Sequence, residues 1–236
     1  MSRRVSAWRP GPDGAAGLDD IAAEHLAVLH RTLREEPTAF GLYEAACAAG
    51  ERLTTAVDAW AGSRDGDEFA ARFTSAVGGE GGTVADAAVR RAAAASVRRL
   101  LERHPEVGAP GGSGLSGEGF CLLYQGFFAG VVAEFLRSAV AEKVKLVVPL
   151  LPALDPEDHI ANWVAEHVLG LLPDPCEAVG QGMETEVASA VGDPIGPLRL
   201  VAQGLVPRAA GRALGLLSEE PSEDRDGTPY EGEPVS

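Results

Sequence analysis

Apolar side chains recur along this chain at the 3.6-residue spacing of helices, and no stretch alternates long enough to predict a strand. Residues 18–35 set Leu18, Ile21, His25, Leu29 and Leu33 on related turns, and Pro37 stops the run. Thr38 to Ala61 predicts a second helix, carrying Phe40, Leu42, Tyr43, Leu53, Val57 and Trp60. A third follows Asp65-Gly66-Asp67 and repeats Phe69, Phe73 and Val77 every fourth residue. The glycines at 78, 79, 81 and 82 break the pattern. Thr83, with Asp86 three residues on, then predicts a capped helix reaching His104. Residues 105–117, rich in Gly, Pro and Ser, read as a linker or mobile loop. Residues 118–148 form the most hydrophobic segment, with Phe120, Tyr124, Phe127, Phe128, Val131, Phe135 and Leu136. Its apolar run stops at Glu134, short of the ~20 residues a membrane-spanning helix needs, so a buried central helix is expected.

Three Asp-Pro pairs follow, at 155–156, 174–175 and 193–194, each 19 residues from the last. Asp is a favoured N-cap and proline suits the first helical position, so each pair predicts a helix start. The first helix sets Ile160, Trp163, Val164, His167, Val168, Leu171 and Leu172 at helical spacing. The second has a thinner stripe of Cys176, Val179, Met183, Val187 and Val191. The third has Leu198, Val201, Leu205 and Ala209, with a kink or break expected at Pro207. The three units share too little else to be a true repeat. The expected fold is all-α, with about eight helices in bundles. The chain divides into a flexible arm (1–15), an N-terminal bundle (16–104), the linker (105–117), a C-terminal bundle (118–217) and a disordered acidic tail (218–236).

Charge narrows the partners. The net charge of −15 repels a phosphate backbone and disfavours nucleic acid. The tail concentrates acid in Glu219, Glu220, Glu223, Asp224, Asp226, Glu231 and Glu233, against Arg225 alone. Basic residues are nearly all Arg, the bias of a high-GC prokaryotic genome. Cys47, Cys121 and Cys176 are odd in number and share no CxxC spacing, so a disulfide framework is not expected and a reducing cytoplasm is. Trp8-Arg-Pro-Gly-Pro behind Arg3 and Arg4 cannot form a signal-peptide core.

Candidate chemistry is sparse. His159 and His167 are eight residues apart, or ~12 Å along a helix, too far for two imidazoles to share one ion at ~2.1 Å each. No metal and no cofactor is expected. Cys176 sits near a helix N-terminus, which favours a thiolate, but Asp174 and Glu177 oppose it, so it reads as a structural cysteine. Ser113 to Gly117 lacks the lysine and the preceding strand of a phosphate loop, and no GxSxG elbow is present. Arg90, Arg91, Arg98, Arg99 and Arg103 give the fourth helix a basic surface, either solvated or a dock for an acidic partner that the tail would compete with. The aromatics Phe120, Tyr124 and Phe127 fit a core stripe better than the wall of an apolar groove.

One short motif points further. Asp155-Pro-Glu-Asp-His-Ile160 resembles the Pro-x-Asp-His-[Ile/Leu] motif of the TorD/NarJ-like chaperones of redox-enzyme maturation. The resemblance covers those six residues. It implies an all-α cytoplasmic protein that binds a redox-enzyme subunit or its twin-arginine signal peptide, with Asp158 and His159 at or near the peptide. Trp163, one turn on, joins them as a candidate contact. The leading expectation is therefore a non-enzymatic chaperone or adaptor with a protein client. Two alternatives stay open: a small-molecule-binding or enzymatic domain with Glu166 and His167 facing a pocket beside the 120–135 helix, and a peripheral membrane protein acting through 120–151 or 195–217. Self-association also stays open.

Overall fold

A computed structural model describes residues 14–58, 63, 65–108, 115–147, 156–182 and 195–217, with side chains at 17–58, 63, 65–107, 115–139, 158–180 and 195–217. Residues 1–13 of the expected arm, the acidic tail, residues 109–114 of the linker, and the stripe positions Met183, Val187 and Val191 lie outside them, while residues 14 and 15, expected in the arm, belong to the first helix. The described residues form eight α-helices and no strand. They are α1 (Gly14–Glu35), α2 (Leu42–Ala56), α3 (Gly66–Gly78), α4 (Val84–Arg103), α5 (Gly117–Val147), α6 (Pro156–Leu169), α7 (Pro175–Gly182) and α8 (Gly196–Ala213). Short 3-10 turns occupy Ala39–Gly41 and Pro105–Gly108.

Several starts are set by side chains that satisfy orphan N–H groups. Asp65 accepts from the Glu68 amide at 2.8 Å. Thr83 accepts from the Asp86 amide at 3.1 Å while Asp86 accepts from the Thr83 amide at 2.9 Å, completing the expected box. Asp174 accepts from the Cys176 amide at 2.8 Å, as the second Asp-Pro pair predicts. The third pair, Asp193-Pro194, lies outside the described residues. α8 begins at Gly196 behind Ile195, with no side-chain cap and with Pro197 in the first turn.

Two boundary expectations are corrected. The helix expected from Thr38 starts only at Leu42, because Phe40 and Gly41 both take left-handed φ, 64° and 61°. For Phe40 that conformation costs on the order of 1 kcal/mol; its ring packs at 5.2 Å on Phe135. α8 runs through Pro207 unbroken. The carbonyl that loses its donor there is that of Gln203, an exposed residue, so water can replace the missing N–H.

α5 is the central helix. Phe120, Tyr124, Phe127, Phe128 and Val132 are fully buried, and each such side chain is worth about 1.5–3 kcal/mol. Its contact with α4 is close because both faces are small: Ser96 faces Gly126 and Ala92 faces Gly130. A Cβ on Gly130 would lie 3.3 Å from that of Ala92. By length and composition Gly117–Ala139 could cross a membrane, yet 78% of its apolar window is buried by the other helices. The stretches expected as two bundles share one continuous core: α4 packs on α5, α2 on α8, and α1 on α6. Within the C-terminal stretch the Tyr124 hydroxyl donates to the Ala202 carbonyl at 3.1 Å, tying α5 to α8.

Candidate docking groove

α3 and α4 form a helical hairpin around Gly79, whose φ is 62°. Arg52 reaches from α2 and donates to the Val77 carbonyl through Nε at 3.0 Å and Nη2 at 2.8 Å, satisfying the end of α3. Phe69, Phe73 and Val77 point to the core. The outward face of the hairpin carries Ala70, Ala71, Thr74 and Ser75 on α3 and Ala94 on α4, too small to fill the space between the axes. An open groove of about 750 Å³ results. Val97 and Leu101 contribute to its apolar lining, Arg90 and Gly79 stand at one end, and Asp67, Arg98 and Glu102 at the other. Arg90 is held in place by donating to the Gly81 carbonyl at 2.6 Å. Arg98 is exposed. The arrangement offers an apolar strip flanked by both signs of charge, which suits an amphipathic protein segment.

The arginines of α4 do not form one surface. Arg90 and Arg98 line the groove; Arg91 turns the other way and donates to Glu134 on α5 at 3.0 Å and to the Ser138 hydroxyl. Glu134, 8% exposed, also faces Arg137, which pairs with Asp158 on α6. Arg99 and Arg103 line a separate cavity of about 70 Å³ with Leu122, Gln125 and Leu169. A linear reading saw the charges but not this division.

The motif residues are placed as ties between helices. Asp158 pairs with Arg137, and His159 Nε2 lies 2.7 Å from Asp19 on α1. Trp163 is half-buried and stacks on His167, with centroids 4.9 Å apart and planes at 7°. These three stand on α6, away from the α3–α4 groove lining. Phe120, Tyr124 and Phe127 have no exposed surface, so they are core and not the wall of a groove. Burial holds the Tyr124 hydroxyl well above its ordinary pKa. Glu166 and His167 are exposed and line neither cavity.

The expectation about cysteines is overturned. Cys121 and Cys176 form a disulfide that joins α5 to α7, with Cα atoms 6.1 Å apart and a sequence separation of 55. No spacing rule could have found it, because the pairing depends on α7 returning to the start of α5. The Asp174 carboxylate and the two sulfurs lie within 4.8 Å of one another. With the sulfurs bonded together this cluster presents no thiolate to a metal. Cys47 is the free thiol, raised in pKa chiefly by burial and hydrogen-bonded to Tyr43.

Comparison with known proteins found no matching family model, no similar curated protein and no similar solved structure.

Proposed function

We propose that the protein is a non-enzymatic helical adaptor or chaperone that holds a segment of a client protein in the α3–α4 groove. The observation that carries this reading is the groove itself: about 750 Å³, open along its length, with an apolar strip between Arg90, Arg98, Asp67 and Glu102. A helix or extended segment with a few apolar side chains fits such a strip.

The finer reading follows the Pro-Glu-Asp-His-Ile motif: the client is a redox-enzyme subunit, or its twin-arginine signal peptide, met in the cytoplasm. The net charge of −15 supports it, since an acidic surface attracts a basic peptide. Asp67 and Glu102 at the groove are the local partners for the peptide arginines. The test is fluorescence anisotropy with labelled twin-arginine signal peptides from the same host. Ala94→Trp, which fills the groove, is expected to weaken binding more than ten-fold. Asp158→Ala and His159→Ala form the second arm. Loss of binding in that arm alone would move the client to α6, and no binding to any such peptide would refute the redox-client reading.

A further inference from the structure

We propose that the Cys121–Cys176 disulfide is a thiol-exchange site, attacked at Cys176 by a dithiol reductant and guarded by Asp174. The two sulfurs differ in access. Cys121 is 5% exposed in the core face of α5, whereas Cys176 is half-buried. An incoming thiolate therefore reaches Cys176 first. Non-covalent ties on α7 are thin: it has eight residues, and among its described side chains only that of Pro175 is buried. The bridge is its covalent link to α5, beside packing on α8 and α5.

The exchange balances without any other reactant. A reductant thiolate attacks Cys176 Sγ, the Cys121–Cys176 bond breaks, and its electron pair passes to Cys121 Sγ, which takes a proton from water. The second thiol of the reductant attacks its own sulfur in the mixed disulfide. Cys176 leaves as a thiol, and the reductant carries away the new disulfide. α7 is then held only by its side-chain contacts.

Asp174 sets the rate. Its Oδ1 accepts the Cys176 amide at 2.8 Å, which fixes the carboxylate beside the bridge. It lies within 4.8 Å of both sulfurs, so its charge opposes both the arriving and the departing thiolate. At that separation and an intermediate dielectric the repulsion slows exchange roughly ten-fold. The inference stands independently of what the α3–α4 groove binds.

The experiment uses the full chain purified without reductant. Brief treatment with glutathione, followed by alkylation and peptide mapping, is expected to place the mixed disulfide on Cys176. Reduction by dithiothreitol in native buffer is expected to rise in proportion to reductant. Hydrogen exchange should then increase within 170–182 while α1–α4 stay protected. Asp174→Asn, which keeps a capping side chain, is expected to speed reduction roughly ten-fold. The proposal is overturned by an adduct on Cys121, by reduction no faster than global unfolding, by an Asp174→Asn rate equal to wild type, or by three free thiols in the purified chain.

Discussion

Two glycines give the sharpest test of the packing. Gly50 and Gly204 are each the ninth residue of their helices, α2 and α8. In an exposed helix interior, Gly→Ala stabilises by about 1 kcal/mol, through helix propensity and reduced freedom of the unfolded chain. Gly204 is exposed with nothing within 4 Å of an added Cβ, so Gly204→Ala should show that full gain. At Gly50 the same methyl would lie 2.6 Å from Phe128 Cζ and 3.0 Å from Val206 Cγ1, both on fully buried side chains. Overpacking of this kind costs about 1–3 kcal/mol, which outweighs the propensity gain and leaves a net loss of about 1 kcal/mol. The two variants should then differ by about 2 kcal/mol. At about 2–4 °C per kcal/mol for a chain of this size, they should straddle wild type by several degrees in Tm. Thermal unfolding by circular dichroism reads this directly. A Gly50→Ala protein as stable as Gly204→Ala would refute the close meeting of α2, α5 and α8.

Other outcomes follow from single contacts. Replacing both Cys121 and Cys176 by serine opens a loop of 55 residues and should lower unfolding free energy by about 4 kcal/mol in urea titration. Equal stability of oxidised wild type and the double variant would contradict the bridge. Tyr124→Phe removes a buried hydrogen bond to Ala202 and should cost about 1 kcal/mol in the same assay, with no change in the slope against urea. His30 has a pKa lowered first by burial, with its Nε2 3.1 Å from the Ala213 carbonyl. The unfolded group, at 6.5, then binds its proton before the folded one does. Its contribution is therefore complete above 6.5 and declines as pH falls through 6.5 toward the lower folded value. Tm measured from pH 8 to 5 should fall more in wild type than in His30→Gln, and matching profiles would exclude His30 as the cause.

Much of the scaffold was legible in the order of residues, for reasons that act over a few positions. Phe69, Phe73 and Val77 repeat at helical spacing and are buried together; Thr83 and Asp86 bond to each other across one turn. Both depend only on the 3.6-residue period and on who stands three or four places away. The same local reasoning failed at Phe40, where a contact with Phe135 accompanies a backbone conformation that aromatic residues rarely adopt. It failed again at Pro207, where exposure of Gln203 lets the helix continue.

The candidate site was less legible. The arginines of α4 looked like one basic surface, and Arg90, Arg91 and Arg99 prove to face three different surroundings. Asp158 and His159 looked free to meet a peptide, yet each is already paired with a residue from another helix.

The sequence by itself determined an all-helical chain, the capped starts of α3, α4 and α7, and the burial of the aromatic helix, since periodicity and capping are properties of neighbours in the chain. Only the tertiary structure decided that both halves share one core, that Cys121 meets Cys176, and that the α3–α4 hairpin leaves a groove. Each of these depends on which helix faces lie side by side. That is set by the fit of whole surfaces, with glycines and alanines admitting close approach at some faces and leaving space at others.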